Sequence, residues 1–217
     1  MGDRSAAATR RRPDVLASDA PHRLVDLVVG VAALIVASPV LAAAAVATRL
    51  TAGSPVIYRQ RRLGRGGHPF VLLKFRTMRD PRPGREGPEF DAERITRVGS
   101  WLRSTSIDEL PSLVNLVRGD IGLVGPRPLP VHYWPRFRGD EYERFRVRPG
   151  ITGLAQISGR NQLEWSQRLA TDVEYVRTRS LRGDLAILAR TVPQVLARSG
   201  IDQGTGVTMT ELPADRP

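Results

Sequence analysis

The longest apolar segment of the chain lies near its start. Leu27–Thr48 contains 22 consecutive residues without a charged side chain, between Asp26 and Arg49. One straight helix of that length would measure about 33 Å, which is enough to cross a bilayer. A signal peptide gives a similar pattern, because it combines a basic lead-in with small residues near its cleavage site. The pattern therefore predicts either a membrane helix or an export signal.

A helix that enters one leaflet and returns is a third interpretation, and it depends on Ser38-Pro39 near the middle of the segment. Proline removes a helical hydrogen bond and bends the helix, so each half would be only about 15–17 Å long. Arginines lie on both sides of the segment, and a single crossing cannot place both groups on the cytoplasmic side. Proline also occurs within true spans, so the residues alone leave both a spanning and a re-entrant helix open.

Shorter periodic patterns follow the apolar segment. Val56–Arg62 and Phe70–Phe75 are two short strand-like runs around a glycine-rich turn, and they predict a β-hairpin. Helical spacing predicts a short helix and then two amphipathic helices, of which the last could lie on a membrane surface or face the core. These three segments are Ile95–Ser104, Asn161–Ser180 and Asp184–Ser199.

Two adjacent carboxylates, Asp108 and Glu109, are the first candidates for chemistry. Pro111 is tolerated only among the first residues of a helix, so we expect a helix to begin next to Asp108. A carboxylate in that position lies near the positive end of the helix dipole, which also attracts phosphate. Ser106 and Glu109 match a capping box as well, so a structural role is the default interpretation of these residues taken alone.

Composition narrows the class of partner. The 217 residues suit one domain, and the absence of cysteine excludes a disulfide framework. A formal net charge of +11 implies an anionic partner, either nucleic acid, anionic lipid or a phosphorylated substrate. Aromatic residues are sparse at 6%, and no nucleic-acid-binding motif is present, so we do not expect nucleic acid as a partner.

Lys74 is the single lysine among 33 basic residues, which suggests a role for a compact ammonium group.

Several long motifs occur in a fixed order. Together they resemble the bacterial sugar transferase family, in its small monotopic form that acts on polyprenyl phosphate, over roughly Asp26 to Arg198. The motifs are Lys74-Phe75-Arg76-Thr77-Met78, Ser106-Ile107-Asp108-Glu109-Leu110-Pro111, Leu123-Val124-Gly125-Pro126-Arg127-Pro128-Leu129 and Arg148-Pro149-Gly150-Ile151-Thr152-Gly153.

The resemblance implies an enzyme that transfers a phosphosugar from a UDP-sugar to polyprenyl (undecaprenyl) phosphate and releases UMP. Asp108 would be the nucleophile that carries the phosphosugar, and Asp108 with Glu109 would hold Mg²⁺, a cation that prefers oxygen ligands. A carboxylate that approaches a diphosphate needs cations around it. The substrate-binding residues would be Lys74, Arg76, Arg127 and Arg148, with Tyr133 as a candidate for stacking on the base.

Of the interpretations of the apolar segment, the same resemblance favours a re-entrant helix that is broken at Ser38-Pro39. The fold class expected is α+β: a mostly helical monotopic membrane protein with a small β-hairpin and amphipathic surface helices. The chain would comprise a flexible basic arm (residues 1–20), the membrane helix (21–50), a cytoplasmic catalytic domain (51–200) and a tail (201–217).

We expect the protein on the cytoplasmic face of the bacterial inner membrane, in contact with anionic lipids, where it would start assembly of an exopolysaccharide, a lipopolysaccharide or another surface glycan. A homodimer is left open. The alternative function is a membrane-tethered basic binding protein without catalysis.

Overall fold

The computed structural model describes residues 19–85, 87–159, 163–196 and 211–215. The basic arm before residue 19 and most of the tail lie outside the described residues. The helices are α1 (Asp19–Thr51), α2 (Asp91–Arg94), α3 (Arg97–Ser104), α4 (Ser112–Arg118), α5 (Leu154–Ile157), α6 (Trp165–Thr178) and α7 (Leu181–Leu196). The strands are β1 (Ile57–Leu63), β2 (Pro69–Phe75), β3 (Gly122–Val124) and β4 (Gly150–Thr152). Turns of 3-10 helix occupy Arg65–Gly67, Pro88–Phe90, Ile107–Glu109, Val131–Arg136 and Gly139–Arg146.

The apolar segment forms α1, a single helix of 33 residues. By length and composition α1 could cross a membrane. The helix continues through Ser38 and Pro39, and the Ser38 hydroxyl donates a hydrogen bond to the carbonyl of Ile35 at 2.8 Å. The Ser-Pro pair therefore does not divide the segment into two separate helices.

One face of α1 packs along the rest of the protein. Asp19, His22, Asp26 and Gly30 are buried at intervals of three or four residues, and Ala44 and Thr48 continue the same stripe toward the end of the helix. The opposite face is apolar and exposed; Ile35, for example, keeps 68% of its surface in contact with solvent. The other exposed apolar residues of this face include Leu24, Val28, Val31, Val46 and Leu50.

The predicted β-hairpin is confirmed. Strands β1 and β2 pair antiparallel from Ile57 opposite Phe75 to Leu63 opposite Pro69, within one residue of the predicted strand ends. A second sheet, in which β3 and β4 pair in parallel, was not expected from the sequence. Its strands approach closely, since a Cβ atom on Gly150 would lie 2.1 Å from the backbone nitrogen of Gly125.

Among the residues that the structure describes, three apolar clusters form the core. The first surrounds Leu63, Tyr133 and Phe145, the second surrounds Val124 and Tyr175, and the third joins α1 to Phe75 and Leu102. Leu212 belongs to the first cluster with 0% of its surface exposed. Within the predicted tail, the described residues 211–215 therefore contribute an apolar side chain to the core.

Candidate active site

One large pocket of about 1960 Å³ opens beside the β-hairpin. Its walls come from both hairpin strands, from α3, from the turn at residues 107–109 and from the loop after β3, with α6 and α7 at its far side. The polar and charged residues that line it include Arg62, Lys74, Arg76, Arg103, Asp108, Glu109, Arg127, Arg168 and Asp172. The cations outnumber the carboxylates in this set, which suits an anionic ligand.

The carboxylate pair lies on a 3-10 turn, and α4 begins only at Ser112. The expected helix start next to Asp108 is therefore wrong by about one turn. Ser106 precedes the turn in the left-handed region (φ 57°), and its side chain makes no capping hydrogen bond, so the capping box is not formed. Side chains on a 3-10 helix are spaced by about 120°, so Asp108 and Glu109 point in different directions.

Glu109 is held by two cations. The Lys74 ammonium lies 2.6 Å from its Oε1 atom, and the Arg127 guanidinium lies 3.6 Å from the same atom. Burial alone would raise the pKa of Glu109, but Lys74 and Arg127 outweigh it and lower this pKa to about 2. Glu109 therefore remains ionised and keeps the two cations in place.

Asp108 has a different environment, although it is the adjacent residue. Its carboxylate has no hydrogen bond or ion pair with any residue that the structure describes. Burial, with a smaller contribution from the charge of Glu109, raises the pKa of Asp108 to about 6. The two adjacent carboxylates thus differ: Glu109 is bound by cations, whereas Asp108 lines the pocket without a partner among the described residues.

Lys74 is positioned by the hairpin and by one buried amide. It lies near the end of β2. Along the edge of β2 that does not face β1, the side chain of Asn115 on α4 makes the hydrogen bonds that another strand would make. Asn115 Nδ2 donates to the carbonyl of Val71 at 2.7 Å, while its Oδ1 accepts from the backbone N–H of Leu73 at 3.0 Å. Asn115 therefore ties the strand that carries Lys74 to the helix that follows Glu109.

Arg127 lies in the loop after β3, where a second, buried arginine supports it. Arg144 donates to the backbone carbonyl of Arg127 at 2.9 Å and pairs with Asp172 at 2.8 Å. Because both partners of this ion pair are almost fully buried, we infer that it fixes the loop rather than binding ligand.

Two further arginines were not identified from the sequence. Arg62 on β1 lines the pocket, and burial together with the nearby charge of Arg127 lowers its pKa to about 10. Its Nε atom is buried without a hydrogen bond among the described residues. Arg103 on α3 also lines the pocket and donates to the Thr77 hydroxyl at 2.9 Å. The sequence could have indicated Arg62 only through the hairpin register, which places it on the strand beside Lys74.

The remaining predicted substrate-binding residues are placed differently. Arg76 lines the pocket, but its guanidinium donates to the carbonyls of Met78 and Ser54 and pairs with Asp80. Tyr133 also borders the pocket, yet only 7% of its surface is exposed and its ring packs in the core.

Arg148 is not among the residues that line the pocket. It pairs at 2.9 Å with Asp19, the first residue of α1, and Arg65 and Arg179 contact the same carboxylate. The structure therefore does not bring Arg148 together with the other cations, because a buried carboxylate at the start of α1 engages it.

The carboxylate pair can supply part of the oxygen ligands of a magnesium ion. No group of three or more carboxylate or histidine side chains within the described part of the chain could bind a metal alone. Mg²⁺ is commonly bound by one or two carboxylates together with phosphate oxygens, and Asp108 with Glu109 can supply that number. Oε1 of Glu109 already faces two cations, so Asp108 and the second oxygen of Glu109 are the available ligands.

The fold combines one long apolar helix, which by length and composition could cross a membrane, with a cation-lined pocket around two carboxylates that suits an anionic ligand. Residues 17–198 match the family described as bacterial sugar transferase, and the chain belongs to that family.

Three relatives illustrate this membership. The chain is 44% identical over 186 residues to an uncharacterized sugar transferase, EpsL, of Bacillus subtilis, covering 86% of this chain and 92% of the relative. It is 43% identical over 191 residues to the UDP-glucose:undecaprenyl-phosphate glucose-1-phosphate transferase of Caulobacter vibrioides, covering 83% and 72%. It is 37% identical over 196 residues to the exopolysaccharide production protein ExoY of Sinorhizobium fredii, covering 82% and 86%.

Proposed function

We propose that the protein transfers a phosphosugar from a UDP-sugar to polyprenyl phosphate at the cytoplasmic face of the inner membrane, through a covalent intermediate on Asp108. The names of the Caulobacter and Sinorhizobium relatives support this substrate pair and a role in exopolysaccharide production. The main support for the proposal is that the two adjacent carboxylates have different environments. Glu109 is bound by Lys74 and Arg127, whereas Asp108 faces the pocket without a partner among the described residues.

The reaction would proceed in two displacements. A carboxylate oxygen of Asp108 attacks the β-phosphorus of the UDP-sugar, an O–P bond forms, and the bond to the α-phosphate breaks so that UMP leaves. A phosphate oxygen of the polyprenyl phosphate then attacks the same phosphorus. The Asp108–phosphorus bond breaks, the carboxylate is regenerated and polyprenyl-diphosphate-sugar is released.

The cations around the carboxylate pair make the first displacement feasible. An anionic nucleophile is repelled by a diphosphate, and Lys74, Arg62, Arg103 and Arg127 provide compensating positive charge within one pocket. A magnesium ion held by the carboxylate pair and phosphate oxygens would neutralise further charge on the diphosphate. The raised pKa of Asp108 also favours nucleophilic reactivity, because a more basic oxygen forms the stronger bond to phosphorus.

The contacts of α1 support a helix that enters the membrane without crossing it. At its start, Arg23 donates to the carbonyls of Leu116 and Val117 at the end of α4. Toward its end, Ala44 packs against Phe75 and Leu102 of the same domain. A helix that crossed the bilayer would separate these two contact regions by the membrane, whereas a helix that enters one leaflet without crossing keeps both on one side and buries the exposed apolar face in lipid.

The first test compares the wild type with Asp108→Asn in membranes or detergent micelles. We expect metal-dependent release of UMP from a UDP-sugar, and its loss in the variant, because an amide cannot act as the nucleophile. Glu143→Gln is a matched control, since that carboxylate lies outside the pocket. Undiminished turnover of Asp108→Asn would refute the covalent route. Binding of nucleic acid that falls steeply with salt, without turnover, would instead support the basic binding protein.

A second test addresses topology. The chain has no cysteine, so single cysteines at Ser5 and Ser180 report the side of the membrane on which each lies. A re-entrant helix predicts that a membrane-impermeant maleimide labels both positions from the cytoplasmic side. Labelling of the two positions from opposite sides would establish a single crossing and contradict the proposal.

A further inference from the structure

A second, apolar cavity of about 460 Å³ lies between the later half of α1 and helix α3. We call it the α1–α3 groove. Its volume is within the range of roughly 300–1,000 Å³ that is typical of small-molecule sites. The residues that line it include Pro39, Ala43 and Ala47 from α1, Trp101 and Leu102 from α3, and Ile107. Every lining residue is uncharged, and the indole N–H of Trp101 is the one polar side-chain group among them, so a charged or strongly hydrated ligand is disfavoured.

The groove exists because the α1 side chains along it are small. Ala43, Ala44 and Ala47 end at Cβ where most residues of α1 are larger, and their positions face α3 across the cavity. Trp101 borders the groove with 55% of its surface exposed, and an amphipathic indole is common where protein meets the membrane interface. The groove thus opens on the side of the protein where α1 exposes its apolar face.

The groove is next to the reaction pocket. Ile107 lines the groove, and the following residue, Asp108, lines the pocket. Helix α3 separates the two spaces with one face toward each, since Trp101 borders the groove while Arg103 borders the pocket. A molecule with an anionic head in the pocket and an apolar tail in the groove would therefore cross from one space to the other at Ile107, the residue next to Asp108.

We propose that the α1–α3 groove holds the first isoprene units of the polyprenyl phosphate, and so directs its phosphate toward Asp108. This inference rests on the proposed function, because it assigns a binding site to the acceptor of that reaction. Of the two substrates only the acceptor has an apolar tail, and the uncharged walls exclude the nucleotide and the sugar. The cavity is far smaller than the whole tail needs, so the more distant isoprene units would extend into the bilayer.

The direct test needs no turnover. Single cysteines at Ala43, inside the groove, and at Ala42, exposed on the same helix outside it, are alkylated with a maleimide in detergent. We expect farnesyl phosphate to slow alkylation at position 43 and not at position 42. Equal rates with and without farnesyl phosphate at position 43 would overturn the proposal. Equal slowing at both positions, or slowing by phospholipid alone, would identify a general lipid contact and would also overturn it.

A kinetic test uses variants whose larger side chains fill the groove. Ala43→Leu and Ala47→Leu add atoms inside the cavity, whereas Ala42→Leu adds the same atoms outside it. We expect the two groove variants to raise the KM for farnesyl phosphate by about tenfold or more, the effect of roughly 1.4 kcal/mol of overpacking. The KM for the UDP-sugar should stay unchanged. An unaltered acceptor KM in both variants would contradict the assignment.

The two proposals can fail separately. UMP release by the groove variants in the absence of acceptor shows that they are folded and that the first displacement still occurs. If farnesyl phosphate protects position 43 but Asp108→Asn retains full turnover, the groove assignment stands and the covalent route fails. If Asp108→Asn is inactive and position 43 is not protected, the covalent route stands and the groove assignment fails.

Discussion

Replacement of Asn115 by alanine tests whether one buried amide holds the active site together. Asn115 has 0% of its surface exposed, and its side chain bonds to the backbone of Val71 and Leu73 and to the carboxylate of Asp120. Alanine removes all three hydrogen bonds. The carbonyl of Val71 and the N–H of Leu73 would be left without a partner along the edge of β2.

The expected cost follows from the number of groups left unpaired. An unsatisfied buried polar group costs about 1–3 kcal/mol, so the two backbone groups together give about 2–6 kcal/mol. For a protein of this size each kcal/mol lowers the midpoint of thermal unfolding by about 2–4 °C, so a decrease of about 4–24 °C is expected for Asn115→Ala. Lys74 follows Leu73 directly, so movement of this strand would also separate its ammonium from Glu109.

The assay is thermal unfolding in detergent, followed by tryptophan fluorescence, together with the steady-state rate below the unfolding midpoint. Asn115→Asp is the matched control: it retains the acceptor for Leu73 but loses both donors, and it places a second carboxylate beside Asp120. It should be destabilised as well. An unfolding midpoint of Asn115→Ala within about 1 °C of the wild type, less than half the shift expected for 1 kcal/mol, would refute the reasoning.

Three further predictions follow from the site and its supports. In the proposed reaction Asp108 must be ionised to attack, and its pKa is raised to about 6. The rate of UMP release should therefore fall as the pH decreases through 6, and Glu109→Gln should move this inflection to lower pH by removing a neighbouring negative charge. A rate that does not change as the pH passes through 6 would contradict this prediction. Lys74 is the single lysine, so a UDP-sugar should slow its acylation by an amine-reactive reagent, measured by peptide mass spectrometry, and an unchanged rate would place the donor elsewhere. Gly150→Ala should destabilise the protein by about 1–3 kcal/mol or more, because the added Cβ atom would meet backbone atoms. The control is Gly183→Ala in α7, where the added Cβ atom meets only the flexible Ser180 side chain. This variant should be tolerated in the same thermal assay.

Local patterns predicted the larger elements well. The hairpin strands were placed within one residue of their observed ends, and α3, α6 and α7 fall within or close to the segments that helical spacing indicated. These elements are each determined by a repeating pattern of apolar residues over seven or more positions. The carboxylate pair, Lys74 and Arg127, which the family resemblance indicated, line one pocket in the structure, and their roles in catalysis and binding stay predictions.

Features that depend on distant contacts were not predictable in this way. Strands β3 and β4 have three residues each, too few for an alternating pattern, and they pair only because distant segments meet. The start of α4 was placed too early because Ser106 adopts a left-handed conformation that a serine rarely takes. The ion pair between Arg148 and Asp19 was not predictable, because the two residues are far apart in the sequence.

A covalent phosphosugar on Asp108 is tested most directly by mass spectrometry of the protein after it is mixed with a UDP-sugar in the absence of acceptor and quenched in acid. We predict that the peptide containing Asp108 gains the mass of one phosphosugar, that polyprenyl phosphate removes this mass, and that Asp108→Asn never acquires it. Turnover by the wild type without any such adduct, or an adduct located on another residue, would contradict the claim.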